Sequence, residues 1–279
     1  GVFNKAFRRA CKTNQYEIAQ LFLEKHGADP NISGGGGEED HEDDRYTLLQ
    51  YAVVLLKEPH NAGGEQGHVD CSPSLVRLLL EHGANPNPGK DWSGHTPLTF
   101  AAYHHDCSMV KLLLEHGAQP NDKYTPRAPW RPGKEQTPLC MIAGNIAPTT
   151  NDTAIAELLI KHGADVNQAS GVPSLTPLQN AAQHGSMEML RLLVSHGASL
   201  DRLIGEGRSP LNYAVSTEKP EHVRFLLESG ANASETFDED LVRCTTLLHA
   251  AILHTYHRDP PSPTSISILR MLLSYGANV

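Results

Sequence analysis

The residues best suited to chemistry are histidines, of which the chain of 279 residues has 16. Histidine titrates near neutral pH and is a common metal ligand, so this content could indicate a metal site or acid–base catalysis. Two segments combine histidine with acidic or sulfur side chains, residues 104–107 (His-His-Asp-Cys) and 254–259 (His-Thr-Tyr-His-Arg-Asp). A zinc site needs several ligands that converge. Both segments are expected at turns between helices, so we predict no bound metal and no cofactor.

Other catalytic signatures are missing from the sequence. The glycine run at residues 34–37 lacks the lysine and the helix that follow a phosphate-binding loop. The sequence has no Gly-x-Ser-x-Gly or His-Glu-x-x-His motif, and no catalytic Cys–His pair can be identified in it. The five cysteines are widely spaced without a Cys-x-x-Cys pair, which favours a reducing compartment over a disulfide framework. These observations favour a protein without catalytic activity.

Two short phrases recur along the chain and must position whatever side chains are functional. A leucine-rich run closed by Gly-Ala occurs seven times, with its glycine at Gly27, Gly83, Gly117, Gly163, Gly197, Gly230 and Gly276. A second phrase, Thr-Pro-Leu or Ser-Pro-Leu, begins at Thr96, Thr137, Thr176 and Ser209 and, without the proline, at Thr47 and Thr246. The second phrase precedes the first within a unit, so similar units cover the chain.

Each phrase predicts one end of a short helix. A Thr or Ser hydroxyl can accept the free N–H groups at a helix start, and Pro at the first helical position has no N–H to lose. In one leucine-rich run Val110, Leu113 and Leu114 lie at i, i+3 and i+4 and share one apolar face, and the glycine that follows can end the helix in the left-handed conformation. A unit is therefore helix, turn, helix and an extended finger. Such short helices bury their apolar faces only by stacking on neighbouring units.

These paired phrases resemble the ankyrin repeat, which has a period of about 33 residues and a Thr-Pro-Leu-His-x-Ala signature. The resemblance implies an all-α solenoid of stacked helix-turn-helix units with β-hairpin fingers, forming one domain over residues 1–279. The repeats are expected at about residues 1–31, 44–87, 94–121, 135–167, 174–201, 207–234 and 244–279. Repeat 1 lacks Thr-Pro, and Ile142 stands in repeat 4 where the first alanine is expected, so local packing should differ there.

The repeat also accounts for nine of the 16 histidines. Five of them directly precede the closing glycine of a unit, where an imidazole can bind the last carbonyls of the helix. These five are His26, His82, His116, His162 and His196. The remaining seven lie in insertions or turns, so the histidine content mostly reflects the number of repeats.

Insertions distinguish this chain from an array of repeats of uniform length. Some lengthen the connections between the paired helices of repeats 2, 4 and 7, and others lengthen the fingers after repeats 1, 3 and 6. The first finger, residues 33–46, combines four glycines with six acidic residues and is either a solvated tract or an attractor for a basic partner. The third finger, residues 122–136, mixes basic, aromatic and proline residues and either binds a partner or folds back on its own repeat. The two fingers could also attract each other.

In the ankyrin family, partner contacts come from finger tips and from the two positions after the paired alanines of the inner helix. Carried over to this sequence, the resemblance implies contacts at Trp92, Ser93, His95, Tyr103, His104, Val172, Gln183, His184, Ser216 and Thr217. The composition of the third finger adds Tyr124, Arg127, Trp130 and Arg131. Trp92 is the strongest candidate because a large ring in a turn-forming segment has little core to enter. The alternative interpretation is that Trp92 packs against the adjacent finger.

The composition of the chain limits which classes of partner and which cellular compartments are expected. The 32 acidic and 23 basic residues give a net charge of −9. Nucleic-acid binding requires a surface rich in basic residues, so no nucleic-acid partner is expected. The longest apolar stretch, residues 51–56, is far shorter than the ~18 residues that span a bilayer, so no membrane association is expected. The first residues show no secretory leader. With the unpaired cysteines, this predicts a cytoplasmic or nuclear protein.

The sequence therefore predicts a non-catalytic protein–protein interaction scaffold that binds a partner protein or peptide through its concave face and fingers. The alternative is an enzyme or small-molecule-binding protein whose groove is roofed by the insertion loops of repeats 2, 4 and 7. A third reading makes the chain one segment of a larger multidomain protein. As a free protein it is expected to be monomeric.

Overall fold

The computed structural model describes residues 2–32, 46–55, 73–90, 94–125, 135–147, 149–171, 173–201, 207–239, 243–256 and 262–278. The chain divides into two compact units, Gly1–Lys134 and Glu135–Val279. The single domain over residues 1–279 stays a prediction.

Helices in consecutive pairs make up both units. Unit 1 contains α1 (Val2–Lys12), α2 (Tyr16–His26), α3 (Leu48–Leu55), α4 (Pro73–Glu81), α5 (Pro97–Tyr103) and α6 (Cys107–Glu115). Unit 2 contains α7 (Pro138–Ala143), α8 (Thr150–Lys161), α9 (Pro177–Gln183), α10 (Met187–Ser195), α11 (Pro210–Ser216), α12 (Pro220–Glu228), α13 (Leu247–Tyr256) and α14 (Pro263–Ser274). Within each unit the first helix of a pair packs on the first helix of the next pair, as α3 does on α5 and α9 on α11. This arrangement confirms the predicted architecture of stacked helix-turn-helix units.

The first helices of the pairs begin where the Thr-Pro phrase predicts. The hydroxyl accepts the backbone N–H three residues later, at 3.1 or 3.2 Å, at Thr96, Thr137, Thr176 and Ser209. Proline occupies the first turn in all four. Each cap pairs a backbone donor that the helix itself cannot satisfy.

The second helices of the pairs end at the predicted glycines. All seven closing glycines have a positive φ, between 58° and 99°, which costs a residue without Cβ little. Three of the histidines that precede them bond as predicted, because Nδ1 of His82, His116 and His196 lies 2.9 Å from the carbonyl oxygen four residues earlier. One expectation was wrong: residues 254–256 belong to α13 and not to a turn.

The core lies between neighbouring inner helices, where small side chains allow close packing. Ala181 and Ala182 of α9 are fully buried, together with Leu178. After α9, the backbone of Gly185 comes so close to α7 that an added Cβ would lie 2.6 Å from the carbonyl oxygen of Ala143. Glycine is therefore required at this position. Ile142, the departure in repeat 4, is also buried.

Asparagine side chains link successive fingers within each unit. Asn87 Nδ2 donates to the Gly117 carbonyl oxygen (2.9 Å), and Asn87 Oδ1 accepts from the Gln119 N–H (2.9 Å). Asn31 makes the same pair of bonds to residues 83 and 85, and Asn167 makes it to residues 197 and 199. We call these contacts asparagine bridges.

Strands are confined to the last finger in the part of the chain that the structure describes. β1 (Thr236–Glu239) and β2 (Arg243–Thr246) pair antiparallel, with Thr236 opposite Thr246. No described helix is both long enough and apolar enough to span a bilayer.

Candidate functional site

The structure describes eight of the fourteen predicted contact residues. Trp92, Ser93, Arg127, Trp130, Arg131 and Val172 lie outside the described residues. Of the other eight, His95, Tyr103, His104 and Tyr124 belong to unit 1, and Gln183, His184, Ser216 and Thr217 belong to unit 2. The contact role of all fourteen stays a prediction.

The four residues of unit 1 meet in one place. The ring of His95 stacks on Tyr124, with centroids 4.1 Å apart and planes 24° apart, and it lies 5.5 Å from the ring of Tyr103. Tyr103 in turn packs edge-on against His104 at 5.2 Å. Phe100, which was not predicted, joins the group through His104 at 4.4 Å. We call these five residues the aromatic cluster.

Local structure explains why the aromatic cluster forms. Phe100, Tyr103 and His104 lie at i, i+3 and i+4 at the end of α5, so they share one helix face. Tyr124 belongs to the following finger, which is tied back to the preceding one because the Thr125 N–H donates to the Gly94 carbonyl oxygen at 3.0 Å. The helix and the two fingers therefore bring the rings together.

Exposure within the cluster is uneven. His95 and Phe100 are buried, at 8% and 6% exposed, whereas Tyr103 is 58% exposed. Most of the Tyr103 side chain therefore faces solvent although its neighbours hold the ring in place. A large amphipathic ring of this kind, fixed before binding, is typical of a binding hot spot.

Unit 2 contains a groove of about 430 Å³ between the fingers and the ends of the inner helices. We call it the polar groove; its lining includes Gln136, Met141, Gly144, Gly171, Asn180, Gln183, His184 and Tyr213. The structure thus brings the predicted residues Gln183 and His184 together. Ser216 and Thr217 are not part of this lining, and their hydroxyls donate to Asn212 Oδ1 (3.3 Å) and to the Tyr213 carbonyl oxygen (2.8 Å) of their own helix.

Asn180 and Tyr213 are among the residues of the polar groove that the sequence did not predict. Asn180 and Tyr213 each lie four residues after the capping hydroxyl, at Thr176 and Ser209, and are 8% and 3% exposed. The signal that could have found them is their spacing, because this position shares a helix face with the two predicted positions three and four residues later.

Basic groups near one end of the polar groove have lowered pKa values. Burial, followed by the positive charge of Lys219, lowers the pKa of His184 below 6.5, so its ring is uncharged at neutral pH. The same two causes lower the pKa of His222, whose Nδ1 lies 3.4 Å from the Ala182 carbonyl oxygen. Burial also lowers the pKa of Lys219, which donates to the Gly185 carbonyl oxygen at 3.3 Å.

Residues 104–107 show no convergent ligand set. Asp106 Oδ1 accepts the Met109 N–H (3.0 Å) and so caps α6, while Phe100 and Tyr103 surround His104. Over the described ranges, no group of three or more His, Cys, Asp or Glu side chains could hold a metal ion. His257 and Asp259 lie outside these ranges, as do most of the insertions of repeats 2 and 7.

Family models match most of the chain. A model for ankyrin repeats in three copies matches residues 36–124 and again residues 140–237, and a model for a single ankyrin repeat matches residues 6–34.

Individual proteins are similar over part of their length. A mouse B-cell lymphoma 3 protein homolog (Mus musculus) is 28% identical over 161 residues, which cover 58% of this chain and 34% of that protein. The human (Homo sapiens) ankyrin repeat and SOCS box protein 6 is 29% identical over 147 residues, which cover 48% of this chain and 34% of that protein. The chain thus spans about a third of the length of these relatives.

A solved structure is similar over nearly the whole chain. The crystal structure of the ankyrin repeat domain of Bcl-3 aligns with a TM-score of 0.65 and 23% identity, over 95% of this chain and 97% of that one. At this identity the likeness shows the fold alone.

Proposed function

The chain belongs to the ankyrin repeat family, and from this premise we propose that it is a non-catalytic scaffold that binds a partner protein or peptide. The aromatic cluster of unit 1 is one contact surface, and the polar groove of unit 2 is another. Both involve inner-helix ends and fingers, the places from which the family takes its contacts.

The observation that carries this proposal is the exposure of Tyr103. A tyrosine ring 58% exposed gains free energy when a partner removes it from water. Contacts with His95 and His104 restrict the ring before binding, which lowers the entropy lost on association. The same reasoning extends to the predicted contacts of the third finger, which continues from Tyr124.

The relatives suggest a context for such a scaffold. The ankyrin repeat and SOCS box proteins carry, by their names, another element beside the repeats. We propose that this chain likewise supplies the binding part of a larger protein. We also expect it in a reducing compartment, the cytoplasm or the nucleus, and Cys11, Cys107 and Cys140 in the described ranges form no disulfide.

Affinity capture with quantitative mass spectrometry tests the proposal. Bait carrying Tyr103→Ser should lose a defined set of partners, and the purified main partner should bind at least about tenfold more weakly, as expected for a hot spot. Tyr275→Ser is the matched control because Tyr275 is also exposed but follows α14, outside the aromatic cluster. Partner sets that are identical for wild type and Tyr103→Ser would refute the assignment of this surface.

A second bait tests the predicted contacts outside the described residues. The triple variant Trp92→Ala, Trp130→Ala, Arg131→Ala should lose the same partners as Tyr103→Ser. Retention of all of them would remove these three residues from the contact surface.

A further inference from the structure

The described residues that line the polar groove carry no formal charge. Its lining contains no aspartate, glutamate, lysine or arginine among the described residues. Burial, followed by the positive charge of Lys219, lowers the pKa of its one imidazole, that of His184, which favours the neutral ring. A ligand with a full charge would therefore lose its hydration in the groove without gaining an opposite charge from the lining, and the nearest cation, Lys219, lies outside the lining with a pKa that burial lowers.

One polar group of the groove lacks a protein partner. Asn180 is 8% exposed, and within the described part of the chain its Nδ2 has no hydrogen-bond acceptor. Buried amide donors are rarely left unpaired, because losing water without gaining an acceptor is costly. Nδ2 itself is closed off from solvent, so a ligand acceptor would satisfy this group once the amide rotates to turn Nδ2 toward the groove.

Gly144 leaves space beside this amide. A Cβ added at Gly144 would lie 3.4 Å from both Cβ and Oδ1 of Asn180, so a larger side chain on α7 would crowd it. Gln183, one turn after Asn180, and Gln136, beside Gly171 in the fingers, add further amides. An amide side chain offers both a donor and an acceptor, which is the pair that each residue of an extended peptide backbone presents.

We propose that the polar groove binds an extended, uncharged peptide segment through its main-chain amides, with the Asn180 amide donating to a main-chain carbonyl. This inference rests on the proposed scaffold function and specifies the chemistry of the partner at unit 2. Asn180 is the central donor, and Gly144 keeps the groove open.

Three peptide pools and the side-chain NMR signals of Asn180 test the inference on the full chain. The pools are acetylated, amidated heptapeptides made of Gly, Ala, Ser, Thr, Asn and Gln, with two positions replaced by Glu in the second pool and by Lys in the third. The neutral pool should shift the Asn180 signals, which are assigned by their loss in Asn180→Asp. Both charged pools should bind at least tenfold more weakly. No shift with the neutral pool, or equal binding of a charged pool, would overturn the inference.

Two variants separate donation from packing. Asn180→Asp keeps the size of the side chain but replaces the N–H donor by a carboxylate oxygen, which repels a main-chain carbonyl, and Gly144→Val narrows the groove. Each should weaken binding of the neutral pool at least tenfold. Asn232→Asp is the control because Asn232 is exposed and its Oδ1 accepts the Ser234 N–H (2.9 Å), a bond that aspartate can also make. Thermal unfolding checks that each variant is folded, and if Asn180→Asp is not, Gly144→Val decides.

The outcome can be distinguished from failure of the proposed function. If Tyr103→Ser loses partners while neither groove variant affects peptide binding, the scaffold function stands and this inference is wrong. If the neutral pool binds and both groove variants weaken it, the inference holds whatever Tyr103→Ser does.

Discussion

Glu235 is a buried carboxyl group just before β1. It is 9% exposed, and Oε1 accepts the Ser209 hydroxyl at 2.5 Å. Burial is the main reason that its pKa is raised from 4.5 to about 7, and the negative charge of Asp201 adds to the rise, whereas the Ser209 bond opposes it. The folded chain therefore holds a proton on Glu235 at pH values where the unfolded chain has released it.

This difference predicts a pH-dependent stability. Below pH 4.5 Glu235 is protonated in both states, and from there to about pH 7 the folded state binds more protons, so its stability falls as the pH rises. Glu235→Gln, which stays uncharged, should raise the free energy of unfolding at pH 8 by up to about 3 kcal/mol and have little effect at pH 4. Urea unfolding at both pH values measures this, with exposed Glu228→Gln as the control. An equal effect of Glu235→Gln at both would contradict it.

An added methyl group is predicted to lower stability more at Gly185 than at Gly144. At Gly185 a Cβ would meet backbone atoms, Ala143 O at 2.6 Å and Ala181 Cα at 2.7 Å, whereas at Gly144 it would meet the Asn180 side chain at 3.4 Å. Gly185→Ala should therefore cost about 1–3 kcal/mol of stability, as overpacking does, and Gly144→Ala less than about 1. Urea unfolding of the two variants compares them. Equal losses of stability in the two variants would mean that α7 and α9 can move apart at Gly185 without cost.

Among individual site residues, the sequence predicted those whose position within the repeat is fixed. His95, Tyr103, His104 and Tyr124 were predicted separately, and the structure places them in one cluster. Asn180 and Tyr213 were missed because a side chain four residues after the cap can enter either the core or a groove. The size of the facing residue decides which, and the pairing of Gly144 with Asn180 across two helices cannot be obtained from one sequence.

Helix starts and ends were the most predictable elements, because each depends on a few adjacent residues. Thr-Pro supplies a cap and a first turn, and glycine supplies a left-handed end. Contacts between repeats were less predictable. The asparagine bridges were not predicted, yet Asn31, Asn87 and Asn167 each bond to the next finger.

An asparagine bridge predicts a measurable contribution to stability. Asn87→Ala removes two hydrogen bonds, to the Gly117 carbonyl and from the Gln119 N–H, and should lower the free energy of unfolding by about 1–2 kcal/mol. Gln119→Ala is the matched control because this exposed residue takes part in the bridge only with its backbone. Thermal unfolding followed by circular dichroism compares them, and equal melting temperatures would show that the bridge is energetically neutral.

For the whole molecule, unit 2 has a hydrophobic core of its own, with buried leucines on its inner helices such as Leu178 and Leu211. Residues 135–279 produced alone should therefore fold and unfold in one cooperative transition, because each repeat in such a stack needs only its neighbours. The control is a fragment of equal length, residues 104–248, which contains α6 without α5 and lacks α14 and all but the first two residues of α13. If the two fragments unfold with equal cooperativity, or if residues 135–279 lose their helical signal, unit 2 is not an independent folding unit.

The asparagine bridges have a mechanical consequence. Each one joins a finger to the next repeat of the same unit, so tension applied between the two ends of unit 1 would pass through its two bridges, at Asn31 and Asn87, in series. Bonds in series break one at a time, and the repeats interact mainly with their nearest neighbours. Under load unit 1 would therefore lengthen in small steps of similar size rather than open at once, and could regain its length when the load is released.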